Sequence, residues 1–324
     1  MISQKQFQKM NQKRWEEIEK SIQRLKSSTP LSAEEARGIP AQFRKVCQEM
    51  GMAQERLYGM RLTLQLNKMV MALFHHIYRS KNRLNPWRYM TRTFPGAFQH
   101  NLHFFWVSVV LFWLPYLLLA LSGNWGMQWI QSLLGTEGMM SMDAMYGKDG
   151  DALAHGRETY GNDFMMFCYY IFNNVSIDFR CYAGGIFYGL GTLFYTIFNG
   201  LYIGAAAGYV HAVGDPEKFY CFVAGHSSFE LIGLHLSSAA GLRLGWGLIS
   251  PGNQSRMSSL LRNAQHSMVI LGGAAILTFL AACVEGFWSG HPYPPAVKYT
   301  VGITLWILTL GYLFSGKKQW YERP

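Results

Sequence analysis

Between Phe198 and Gly252, Asn199, His226, Glu230, His235 and Arg243 stand among apolar and small residues. Such groups are expensive at membrane depth, so they turn to the protein interior or a wet cavity and pair with something. His226 and Glu230 are four residues apart, which places them on one face of a helix. That pair could bind a metal, relay a proton or simply hydrogen-bond within itself. A zinc site needs at least three ligands, and the zincin pattern H-E-x-x-H is absent. His235 lies nine residues beyond His226, about 180° round a helix, and cannot easily join it. A structural polar network with Asn199 or Arg243 as further members is the favoured reading, and no metal or cofactor is expected. Ser227 and Ser228 adjoin His226, but neighbours in sequence do not make a nucleophile and base. G-x-S-x-G, a P-loop, G-x-G-x-x-G after a strand and a redox pair are all missing, so no catalytic residue is assigned and no enzyme is expected.

The elements that must position these groups are glycine-rich. Gly200, Gly204 and Gly208 recur every four residues, and Gly185 and Gly189 form an earlier pair at the same spacing. Small residues at that spacing let helix backbones approach closely, here for packing within the chain or as a homodimer face. Gly241 and Gly245 repeat the pattern beyond Glu230.

Half of the 324 residues are hydrophobic and 15% are charged, against roughly 25% charged in soluble domains. A lipid bilayer is therefore the expected surrounding. Six apolar runs are candidate spans: 102–122, 163–179, 182–212, 219–249, 268–288 and 297–314. The second carries Asn173, Asn174 and Asp178, and the third is long enough to be broken at Asn199-Gly200. Placing the N-terminus inside puts 25 of the 29 Lys and Arg on the inner side and four on the outer. That bias predicts cytoplasmic N- and C-termini, with 317–324 as a cytosolic tail. A basic flank before a span points to anionic lipid, and no motif for nucleic acid accompanies it.

Residues 1–84 read as a cytosolic helical domain. Phe7, Met10, Trp15, Ile18, Ile22 and Leu25 recur at helical spacing and the run ends at Ser27-Ser28-Thr29-Pro30. Ser32 and Glu35 form a capping box for a short second helix that stops near Pro40. A long helix over 41–79 follows. Its terminal His75 and His76 point in different directions and make a poor chelate. Residues 85–101, with Trp87, Tyr89, Phe94 and Phe98 among arginines, read as an interfacial segment that Pro95 turns into the bilayer. Residues 123–162 form an outer loop holding a short interfacial helix. The five cysteines are scattered and read as inert thiols, and the first 30 residues lack the apolar core of a signal peptide.

Taken in order, Asn173-Asn174, FNGLYIGAAAG (198–208), GHSSFELIGLHLSSAAGLRLG (225–245) and Pro251 resemble the stage II sporulation protein M family of bacterial integral membrane proteins. Trp15, the LSAEE turn at 31–35 and the helix end His76-Ile77-Tyr78 fit that resemblance, which covers nearly the whole chain. Ser227 stands where the family usually has glycine. The positions that match are Asn173, Asn174, Asn199, Gly200, Gly204, His226, Glu230, Gly241 and Gly245. The resemblance implies a scaffold rather than a hydrolase, since the namesake works in a membrane complex with peptidoglycan-degrading partners.

The expectation is thus an all-α polytopic membrane helix bundle of about six spans behind an N-terminal cytosolic helical domain. It would be a bacterial inner-membrane scaffold or homodimer that anchors other envelope proteins. Asn173, Asn174, Asn199, His226, Glu230 and Arg243 would form its polar membrane core. The alternative is a transporter or channel using Asn199, His226, Glu230 and Arg243 as its path.

Overall fold

The computed structural model describes residues 2–26, 33–78 and 85–318. The capping box at Ser32 and Glu35, the helix end at 27–30 and the tail residues 319–324 lie outside the described residues, as do the side chains of Leu25, His76 and Tyr78. The described residues are helical with no strand, and they fall into two compact units that divide after Leu84.

In the first unit, α1 (Gln4–Lys26), α2 (Ala33–Glu55) and α3 (Met60–Tyr78) close on one core. Phe7, Trp15, Ile18, Val46, Leu62, Leu66 and Leu73 are buried in it, as the helical spacing of their apolar faces dictates. Two expectations are corrected. α2 continues through Pro40 to Glu55 and does not stop there. The helix expected over 41–79 is interrupted at Arg56–Gly59, where Leu57 takes φ 51°. Leu57 N–H bonds Gln54 O at 3.1 Å and Tyr58 N–H bonds Ala53 O at 2.9 Å. Those are the two closing bonds of a Schellman motif, which ends α2 on a residue other than glycine.

The second unit is built around α12 (Ser227–Ile249), in which 15 of 23 residues are buried. Around it stand α5 (Phe94–His100), α6 (Leu102–Ala120), α9 (Asp163–Ala183), α10 (Leu190–Val213), α13 (Arg256–Val284) and α14 (Pro295–Phe314). α4 (Pro86–Arg88), α7 (Met127–Tyr146), α8 (Ala152–Tyr160) and α11 (Pro216–Ala224) complete it. Residues 123–162 are thus largely helical, with Ile130 and Leu134 of α7 buried against Ala205 and Tyr209 of α10.

Among the described residues, four helical segments are long and apolar enough to cross a membrane: Leu102–Ala120, Leu190–Val213, Arg256–Ser289 and Pro295–Phe314. α9 and α12, which occupy the second and fourth expected spans, are the polar ones, and both lie against α13. The outer faces carry exposed Val110, Leu114 and Leu118 on α6 and Ile303, Ile307 and Leu308 on α14. Apolar surface of that extent belongs in lipid.

Phe94 to Phe98 are buried, with Phe94, Ala97 and Phe98 in the main core. Two expectations about this unit are also corrected. α10 runs unbroken through Asn199-Gly200, and the chain turns earlier, at Gly184–Gly189. The expected fourth span is divided at Gly225 and His226, leaving α11 and α12 as separate helices.

Candidate functional site

His226 caps the N-terminus of α12 in the break after α11 and is 3% exposed. Its ring packs against Phe222, and its Nδ1 lies 2.8 Å from Ser289 Oγ. Its Nε2 faces Glu230 Oε2 at 3.6 Å, so the four-residue spacing does bring the pair together. The fold adds a third group. Glu285 opens a π-helical turn over Glu285–Ser289 at the end of α13, and it is buried. One ligand atom each from His226, Glu230 and Glu285 lies within 4.8 Å of the others.

The asparagine pair belongs to the same cluster. Asn174 Nδ2 donates to Glu285 Oε2 at 3.3 Å, and Asn173 Nδ2 donates to Asn174 Oδ1 at 2.9 Å. One helical turn deeper, buried Asp178 accepts from Thr278 Oγ1 at 2.6 Å. Asn199 donates to Tyr195 O at 2.7 Å within its own helix. Its side of the cluster is a cavity of ≈ 20 Å³ lined by Asn174, Asp178, Asn199, Glu230 and Thr278, enough for about one water.

Arg243 does not join them. It is thirteen residues beyond Glu230, about 20 Å along α12. Its guanidinium donates to Asn101 Oδ1, and Nη2 lies 3.0 Å from His266 Nδ1. There it lines a cleft of ≈ 810 Å³ with His100, Arg262, Asn263 and His266. His235 is separate again: its ring stands edge-on to Phe105 and Phe112, and neither ring nitrogen has a hydrogen-bond partner. Ser227 Oγ donates to Ala224 O at 3.4 Å and accepts from Trp306 Nε1, so His226 meets the hydroxyl of Ser289 and not those beside it.

The glycines serve packing within the chain. A Cβ on Gly204 would lie 2.6 Å from Tyr116 O, and one on Gly200 or Gly208 would meet Phe112 O or Leu119 O, all on α6. Gly185 and Gly189 are not a helical pair. They lie in the reversal before α10, with Gly189 at φ 84°, and that reversal rests on Gly241 and Gly245 of α12. Close approach there lets the chain cross the C-terminal half of α12 backbone to backbone.

Glu285, Ser289 and Asn101 went unread in the sequence. Glu285 had a signal: it is a carboxylate inside the apolar run 268–288. Ser289 and Asn101 had none, because a hydroxyl or amide at a helix end is ordinary.

Two family models match the chain. One described as stage II sporulation protein M covers residues 93–290, which include Asn173, Asn174, His226, Glu230 and Glu285. The other, a domain of unknown function, covers residues 5–79. An uncharacterised protein of Methanocaldococcus jannaschii is 32% identical over 73 residues, 22% of this chain and 41% of the relative. The matched stretch thus spans less than half of that relative's length. No solved structure matches the chain.

Proposed function

The chain belongs to the stage II sporulation protein M family, and from that premise we propose that it is a non-enzymatic membrane scaffold that anchors envelope-remodelling partners. The observation that carries this reading is the closure of the polar core. Asn174, Asp178, Asn199 and Glu230 line a cavity with room for about one water, and Asn174 holds Glu285 beside it. A transport path needs a continuous wet or exchangeable route, whereas these groups tie α9 to α13 and its π turn, and His226 ties the start of α12 to the same turn. Serine hydrolysis finds no support either, since Ser289, the hydroxyl on His226, is fully buried. On this reading the 25-to-4 charge bias puts the termini in the cytoplasm, with the first unit offered to cytosolic partners and 123–162 to outer ones. Self-association would use faces other than the Gly200–Gly208 stripe, which α6 covers.

Reconstitution tests it. Proteoliposomes holding the full chain should show no ion flux above protein-free vesicles, and Glu230→Gln should change nothing. Envelope proteins should co-purify with the chain from its native membrane. Flux that disappears in Glu230→Gln would replace the scaffold by a transporter.

A further inference from the structure

The cluster at the start of α12 has the make-up of a coordination site. Its three groups come from two places in the chain: His226 and Glu230 bracket the first turn of α12, and Glu285 starts the π turn after α13. π turns insert one extra residue into a helix and recur at functional sites. Here the turn aims Glu285 at the pair and also sets Ser289 against the far side of the imidazole.

Two of the three ligand residues, His226 and Glu285, are oriented by partners outside the triplet. A proton on His226 Nδ1, donated to Ser289 Oγ, leaves the Nε2 lone pair directed at Glu230. The Ser289 carbonyl is in turn held by Lys298 Nζ at 2.8 Å, which fixes the turn. Asn174 holds one oxygen of Glu285, and Asn173 holds Asn174. Metal-ligating histidines and carboxylates carry this kind of outer hydrogen bond, because it fixes the tautomer and the orientation.

Charge points the same way. Two carboxylates within 4.8 Å repel each other when both are charged. Among the described residues neither has a lysine or arginine partner. A divalent cation would balance both carboxylates at once. One imidazole nitrogen with two carboxylate oxygens suits Zn²⁺, Mn²⁺ or Fe²⁺, and three protein ligands leave a position for water. The cavity beside Glu230 has space for that water. Ca²⁺ and Mg²⁺ are poorer fits, since they take oxygen ligands throughout.

We propose that His226, Glu230 and Glu285 bind one divalent first-row transition cation and so staple the start of α12 to the end of α13. The site goes beyond the scaffold reading and does not depend on it. The ion neutralises the two carboxylates, of which Glu285 is buried and Glu230 half-buried, and holds the start of α12, just after the break, against the π turn.

The test uses the full chain, purified in detergent, stripped with a chelator and reloaded with Zn²⁺ or Mn²⁺. Elemental analysis after desalting should find about one ion per chain, and loading should raise the melting temperature. Glu285→Gln and His226→Gln should each lose at least tenfold in metal affinity. Ser289→Ala keeps every ligand and should weaken binding by about 10–100-fold. His211→Gln, at an exposed histidine, should leave the stoichiometry unchanged. Less than about a fifth of an ion per chain for Zn²⁺, Mn²⁺ and Fe²⁺ alike would overturn the site. So would a monodisperse Glu285→Gln protein with undiminished metal content. Should the ligand variants fail to fold, Co²⁺ titration of the unmutated protein decides. Ligand-field bands that saturate at one equivalent support the site, and their absence overturns it.

Discussion

The Asp178 carboxylate accepts a 2.6 Å hydrogen bond from the Thr278 hydroxyl, a residue 100 positions later in the chain. Both residues are almost fully buried, and the bond joins α9 to α13 beside the polar cavity. It gives the otherwise too polar α9 a reason to lie inside the bundle.

Thr278→Val should therefore lower the stability of the membrane domain by about 1–2 kcal/mol, the upper range for hydrogen bonds between membrane helices. The substitution keeps the shape and leaves the carboxylate without this donor. Asp178→Asn should cost less, since an amide oxygen still accepts from Thr278 and no charge is buried. Thermal unfolding in detergent measures both. An unshifted midpoint for Thr278→Val would mean that the bond contributes nothing.

Gly204→Leu should unfold or rearrange the α6–α10 pair. Even a Cβ there lies 2.6 Å from Tyr116 O, which is backbone and cannot swing away. Overpacking of this kind costs about 1–3 kcal/mol for small intrusions and more for a full side chain. The readout is the detergent melting temperature together with the oligomeric state by light scattering. A variant that keeps its melting temperature but loses a dimer would return the glycine stripe to an intersubunit role.

Much of the architecture is written locally, and the rest depends on distant partners. The helical period of Phe7, Trp15 and Ile18 is visible in α1 because one face must be buried. The four-residue rhythm of Gly200, Gly204 and Gly208 likewise announces a close helix contact, but not with which helix. His226 and Glu230 meet as their spacing requires, although His226 lies in a helix break and not within one long span. At the break the Trp288 ring packs so close to Gly225 that a Cβ there would collide with it, a contact no local pattern announces. Glu285 reaches the pair only because a π turn closes 55 residues later, and no spacing rule encodes that. Arg243 is an ionisable group in the same apolar run as Glu230, yet composition could not say that they lie about 20 Å apart along α12 with different partners.

Cys47 should alkylate slowly in the folded chain. It packs against the core of the first unit, and burial pushes its thiol above the ordinary value. A raised pKa lowers the thiolate fraction near neutral pH, and the thiolate is the reacting form. Labelling should therefore rise as pH climbs above the ordinary thiol range, and rise at once when the unit is unfolded. Mass mapping of iodoacetamide adducts on Cys47 checks this. Adducts forming as fast as on free cysteine at pH 7 would contradict it.

Glu49 should be the most sensitive polar position of the first unit. Its side chain is 1% exposed. It accepts from Trp15 Nε1 at 2.7 Å and pairs with the guanidinium of Arg14, which is itself partly exposed. Glu49→Ala removes both acceptors, strands the indole N–H inside the core and leaves a void. Hydrogen bonds to a charged group contribute about 1.5–3 kcal/mol, so the loss should approach that range. Glu49→Gln keeps one acceptor oxygen for Trp15 and should be milder. Arg14→Ala should be milder still, because water can replace the partner on its open side. Limited proteolysis of the full chain, followed at sites within residues 4–78, orders the three variants. If Arg14→Ala were as susceptible as Glu49→Ala, the exposed ion pair and not the buried indole contact would be the main stabiliser.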